Sequence, residues 1–237
     1  MSSVFLIVVS FFSSTLTAVL GLGGGVLLIS LMPGLLPATA VVPVHGVVQL
    51  ASNASRALFG LRQVDWPKVG QFALGAALGA VVGARWVVTV DEQILRLLLG
   101  LFILVTTWWP GLKEVRWPGR FVGVGALQTF LSLFVGAAGP LISPLLLREG
   151  LPRDRLVVTH GAMMTVLHGF KLVTFVVLGF SFLPYLELLA GMLVAVTAGS
   201  WVGTRLRGRL PEERFRQAFK VLLTLLALRL LLAAIGM

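Results

Sequence analysis

Gly21-Leu-Gly-Gly-Gly25 interrupts an apolar run that extends over residues 4–32, and 115 positions further on Gly136-Ala-Ala-Gly-Pro140 interrupts another over 119–148. One unbroken helix through either run would be about 43–45 Å long at 1.5 Å per residue, more than the ~30 Å of a bilayer's hydrocarbon core. Two half-helices meeting at a glycine-rich turn fit better, because glycine accepts the backbone angles of a tight reversal. Both runs are therefore expected to fold back as hairpins.

The same offset carries further along the chain. It aligns Leu36-Pro37 with Leu151-Pro152, His45-Gly46 with His160-Gly161, Asn53 with His168 and Arg56 with Lys171. Slightly larger offsets align Pro67 with Pro184, Gly75 with Gly191, Gly83 with Gly199 and Glu92 with Glu212. Apolar letters match by chance in any two membrane segments, whereas prolines, His-Gly pairs and a cation at one spacing do not. The chain thus reads as a duplication, with halves 1–112 and 113–237 forming a single integral membrane domain.

The remaining apolar runs are 38–62, 67–89, 93–109, 155–180, 183–204 and 213–236. With 57% hydrophobic and 12% charged residues, the chain is too apolar for a soluble domain. The formal net charge of +10 is carried largely in connections between apolar runs, the pattern that membrane topology selects, so nucleic-acid binding is not expected. No cysteine is present, which excludes disulfides and thiolate metal sites. The start, Met1-Ser-Ser-Val-Phe5, lacks the basic region of a secretory signal and reads as the first membrane segment of the mature protein.

Lysine and arginine in the connections set the orientation. If every run crosses, they divide ten against five. If runs 4–32 and 119–148 fold back, Arg62, Lys68, Lys113, Arg116, Arg120, Arg148, Arg153, Arg155, Arg205, Arg207, Arg209, Arg214 and Arg216 share one side, against Arg85 and Arg96. The hairpins give the cleaner asymmetry. Each half then crosses three times and the second enters from the opposite face. The expected fold is all-α and polytopic: two inverted repeats, each a glycine-broken hairpin followed by three transmembrane helices. Both termini lie outside, and the Arg-rich connection 205–216 is cytoplasmic in a bacterial inner membrane.

His45, Gln49, Asn53 and Arg56 fall on one helical face, as do His160, Met164, His168 and Lys171. Ionisable groups inside membrane runs are costly and mark pathways, although Arg56 and Lys171 lie near enough to helix ends to snorkel. A helix interrupted in mid-membrane presents unpaired N–H groups and a positive dipole end, which favours anions. Gly23, Gly24, Gly25, Gly139 and Pro140 would let the backbone reach a ligand, with Gln128, Ser132, Ser13, Ser14, Thr17 and Thr129 as neutral donors. This inventory fits a small oxyanion. It offers no soft ligands for a transition metal, no cofactor motif, and no nucleophile elbow around Ser132 that would indicate an enzyme. Small residues every four positions, Gly75-Gly79-Gly83 and Gly191-Ala195-Gly199-Gly203, serve close packing within the chain or a homodimer contact.

Gly21-Leu-Gly-Gly-Gly25 after a first apolar helix, Pro33 and Pro37 shortly after it, and the counterpart Gly136-Ala-Ala-Gly-Pro140 resemble the sulfite exporter family of TauE/SafE type, over essentially the whole chain. The resemblance implies secondary transport, as export or import, of sulfite or organosulfonates such as sulfoacetate across a bacterial inner membrane. The second half departs from the family's glycine-rich pattern at Ala137, Ala138 and Pro140. The readings that compete with this one are a carrier for another small anion and a non-transporting membrane assembly factor. The three histidines make proton coupling an open question.

Overall fold

The computed structural model describes residues 2–21, 23–86, 93–94, 97, 100–101, 104–105, 108, 119–137, 139–142, 145–146, 149–207 and 212–234. The half boundary at 112/113 and Glu92, Arg96, Lys113, Arg116, Ala138, Arg148 and Arg209 lie outside the described residues, as do the side chains of Pro140, Glu212, Arg214 and Arg216.

Eight helices are named in chain order: α1 Ser2–Leu20, α2 Gly24–Leu31, α3 Ala38–Leu58, α4 Trp66–Ala84, α5 Arg120–Val135, α6 Arg153–Val177, α7 Leu186–Leu206 and α8 Glu212–Ala234. The described residues between 93 and 108 are also helical. No strand is named among the described residues, where a single bridge joins Pro33 and Leu36. On length and apolarity, Ser3–Leu20, Arg153–Val177 and Leu183–Leu206 each suffice to cross a membrane. Leu74, Leu78 and Val81 on α4, Val177 on α6 and Val194 on α7 are more than half exposed, as lipid-facing side chains are.

The first apolar run divides at its glycines into two helices of unequal length. α1 is 19 residues long and α2 only 8. Within α1, which runs unbroken to Leu20, Ser13 donates to the Ser10 carbonyl, Thr15 to Phe11 and Thr17 to Ser13. The reversal waits for Gly21 and Gly23, at φ 87° and 99°. Gly24 then lies back against Ser13 and Thr17, and its N–H donates to Thr17 Oγ1 at 2.9 Å. In the second half α5 stops at Gly136, φ 76°, and the return begins with a single 3-10 turn, Gly139–Leu141.

The three largest interfaces each join the two halves: α1 with α7, α4 with α5, and α3 with α6. The outer pairs are closed by the small-residue stripes. A Cβ on Gly75 would strike the Val122 carbonyl and one on Gly79 that of Ala126, while Gly199 and Gly203 meet the carbonyls of Phe11 and Thr15. The stripes therefore pack inside the chain. Gly83 meets Phe130 and Leu133, whose counterparts Thr15 and Ala18 meet Gly203, so the partners match Gly83 with Gly203, one turn beyond the sequence alignment.

Charge collects at one end of the bundle. Asp65, capping α4, pairs with Lys68 at 2.8 Å and Arg155 at 3.4 Å, and Glu149 pairs with Lys68 and Arg120. Arg207 beyond α7 pairs with Asp154 at 2.9 Å, and Arg153 donates to the Val19 carbonyl at the end of α1. Burial pushes the Asp65 carboxyl up, but hydrogen bonds from Lys68 and the charges of Lys68 and Arg155 outweigh it and hold that carboxyl below its ordinary value. At the opposite end Phe175, Phe180, Phe182 and Tyr185 form an aromatic cluster. Two apolar cores follow this division. Val41, Val44 and Val48 of α3 feed one, Ala57 feeds the other, and Gln49 and Asn53 fall between them.

Candidate functional site

α3 and α6 cross at the centre and turn their polar faces toward each other. Between them is a cavity of about 30 Å³, on a scale where one water needs about 10–15 Å³. It therefore holds about two waters. Its polar wall is formed by His45, Gln49, Asn53, His160 and His168, with Thr17 and backbone at Gly23, Gly25 and Gly139. Val26, Ala137 and Met164 close the apolar side.

Each half ties its break to its own histidine. His45 Nε2 hydrogen-bonds the Gly25 carbonyl at 2.9 Å, and His160 Nε2 the Gly139 carbonyl at 3.2 Å. Gly25 lies close under Gln49, since a Cβ there would be 3.1 Å from Gln49 Oε1 and would require that side chain to shift. The His45 and His168 rings meet edge to face with centroids 6.1 Å apart.

Both central cations are fully buried, at 0% exposure, so neither snorkels. Arg56 donates through Nη2 to Asn53 Oδ1, and its Nε and Nη1 have no partner among the described residues. Lys171 Nζ donates to the Gly136 carbonyl at 2.7 Å. Neither forms an ion pair among the described residues. Each passes the glycine that follows the other half's histidine: a Cβ on Gly46 would lie 3.0 Å from Lys171 Cδ, and one on Gly161 3.4 Å from Arg56 Nε. That crossing is the physical content of the repeated His-Gly pair.

Of the residues expected from sequence, Gly23, Gly25, His45, Gln49, Asn53, Gly139, His160 and His168 line the cavity. Arg56 stands behind Asn53, and Lys171 against Gly136. Gly24 is taken up by Ser13 and Thr17. Gln128 donates to Met164 Sδ at 3.3 Å while its Oε1 has no partner among the described residues, so it backs the wall without forming it. Ser132 donates to the Thr129 carbonyl of its own helix, not to a histidine. Pro140 lies in the return turn. Ser14 joins Ser52, Ser200 and the Val196 carbonyl and so fastens α1 to α3 and α7. The sequence reading did not assign Val26, Ala137 and Met164 to the wall; Met164 was visible only as the apolar member of the α6 stripe.

Val42 and Val157 are related by the repeat offset. Val157 abuts Gly21 and Val42 abuts Gly136, so each helix-ending glycine is covered by the other half. A family model described as Sulfite exporter TauE/SafE matches residues 6–230. No curated protein and no solved structure matches the chain.

Proposed function

The chain belongs to the sulfite exporter TauE/SafE family, a family of membrane transporters for sulfur anions, and on that premise we propose that it exports sulfite or an organosulfonate by alternating access between two inverted repeats. The observation that carries this reading is the pair Arg56 and Lys171, buried at 0% exposure beside the cavity with no carboxylate to neutralise them among the described residues. A buried charge left unpaired costs several kcal/mol, roughly the scale of the desolvation penalty for one ion. Such a cost is sustained where a ligand of opposite sign supplies the missing partner. The Nε and Nη1 groups of Arg56 are donors in waiting, and the breaks bring backbone from both halves to the same cavity.

Reciprocal packing supports the inverted repeat. α1 lies on α7 as α5 lies on α4, and Gly21 meets Val157 as Gly136 meets Val42. The ion-paired end gathers Lys68, Arg120, Arg153, Arg155 and Arg207, while Arg85 caps the far end of α4. That distribution agrees with fold-back of both broken segments, with the basic end cytoplasmic and both termini outside a bacterial inner membrane. A cavity holding about two waters must widen before an anion of four or more heavy atoms can enter. Relative movement of α3 and α6, which carry one cation each, is the motion that would widen it. The export direction rests on the family description.

Purified protein tests the reading in a thermal-shift panel of sulfite, sulfoacetate, taurine, sulfate, thiosulfate and acetate, followed by radiolabelled flux in proteoliposomes. Sulfite or a sulfonate should stabilise the wild type, with the effect lost in Arg56→Gln and Lys171→Gln. Preference for acetate would make it a carrier of another anion class, and no response to any anion would point to an assembly factor.

A further inference from the structure

We propose that His168 takes up a proton as the anion binds, so that proton and anion cross together. This rests on the carrier reading above and adds to it the identity of the proton-carrying group.

The two halves place different side chains at this position. Asn53 is fully engaged: its Nδ2 donates to the Gln49 carbonyl at 2.6 Å and its Oδ1 accepts from Arg56. His168, its repeat counterpart, lines the cavity at 5% exposure, its Nδ1 has no partner, and it forms no hydrogen bond among the described residues. Lys171, which corresponds to Arg56, donates to the Gly136 carbonyl and not to His168. His45 and His160 each commit one ring nitrogen to a break carbonyl, whereas neither His168 nitrogen has a partner among the described residues.

The charged and titratable groups facing His168 are His45 and Arg56 from α3, and His160 and Lys171 from its own helix. α1 and α2 contain no charged residue, and the one charge of α5, Arg120, sits at the basic end. Every facing group is therefore cationic or neutral. An entering anion brings a negative charge that none of these groups supplies, and that charge is what makes a proton on the imidazole favourable. The step balances simply: a proton from the aqueous side open to the cavity adds to a lone pair on the His168 ring, and it leaves to water on the other side with the anion. No covalent bond to the anion forms.

Isothermal titration of the full-length protein in detergent, in buffers of different ionisation enthalpy, counts protons taken up per anion. The probes are methanesulfonate, which has no group titrating near neutrality, and sulfite, whose own titration is common to wild type and variant. The wild type should take up about one proton per anion near neutral pH by linkage. His168→Asn, which installs the side chain of Asn53, should bind with that uptake removed. His45→Gln and His160→Gln should bind more weakly but keep the proton count. An unchanged count in His168→Asn overturns the proposal. So does wild-type flux in proteoliposomes with no accompanying change of luminal pH, a readout that needs no variant to fold. If neither probe gives heat or a thermal shift with the wild type, the carrier reading itself fails, and the two failures are told apart.

Discussion

The first half leaves its break directly on an eight-residue helix and the second first makes a 3-10 turn, yet both deliver a backbone carbonyl to a histidine, and those histidines stand 115 positions apart in the chain. The start of the return differs while the contact it makes is the same. Behind that contact the halves differ in the opposite sense. Arg56 and Asn53 form a closed clamp, whereas Lys171 and His168 occupy matching positions and do not touch through a hydrogen bond. Symmetry holds where the site is built and fails where a group is left available for chemistry.

The sharpest way to break the comparison is at Gly24. Its Cβ would run into the Ser13 carbonyl and Thr17 Oγ1, so Gly24→Ala must pry α2 from α1. Overpacking against backbone should cost about 3 kcal/mol or more and remove most monodisperse protein in size-exclusion chromatography. The cations come next. Arg56→Gln and Lys171→Gln should each weaken anion binding by about 2 kcal/mol, some thirtyfold, measured by titration. The empty protein should melt no lower in Arg56→Gln than in the wild type, since an uncompensated buried charge is removed with only one hydrogen bond. A fall in both melting temperature and binding would make Arg56 a structural clamp instead of an anion donor.

Much of this arrangement was legible beforehand, for identifiable reasons. Glycine clusters inside apolar runs can only be breaks, and polar residues spaced by four and eight share a helical face whatever the tertiary fold, so Gly21–Gly25 and both polar stripes were readable. Depth was not. A periodicity says which way Arg56 points but not that Asn53 stands between it and the cavity, because that depends on where α6 crosses. Gly46 and Gly161 looked like ornaments of two histidines, and only the crossing explains them: Lys171 passes closely over Gly46, and the Asn53 carbonyl with Arg56 beside it lies over Gly161. The unequal lengths of α1 and α2 were not readable, because run length alone cannot locate a turn; Ser13, Thr15 and Thr17 bond back to carbonyls of α1, which stays intact to Leu20.

The ends of the bundle offer a smaller test. Asp65 joins the start of α4 in the first half to Arg155 in the second, a tie with no ionic equivalent among the aromatic residues opposite. Asp65→Ala loses the cap on the Lys68 N–H as well and should cost about 1–2 kcal/mol. Because the folded carboxyl titrates below its ordinary value, its contribution is complete above that ordinary value and is lost as pH falls through the folded one. Melting curves of wild type and Asp65→Ala should therefore lie apart at neutral pH and converge on acidification. A gap that persists unchanged into acid would mean that the carboxylate charge contributes nothing.

Gly139 closes the series with the smallest effect on stability. It is the second half's counterpart of Gly24, but a Cβ there meets nothing within 4 Å, and its φ is not among the positive ones. Gly139→Ala should change stability by less than about 0.5 kcal/mol, while Gly24→Ala unfolds the hairpin. Binding should respond differently. Gly139 lines a cavity of about 30 Å³, where a methyl group takes space that the anion needs, so the anion-induced thermal shift should shrink while the melting temperature of the empty protein stays put. One substitution then separates the two tasks that the first half's break performs with the same glycines: holding the turn and leaving room for the ligand. A Gly139→Ala variant that binds anion as well as the wild type would place the ligand on the Gly23–Gly25 side of the cavity alone.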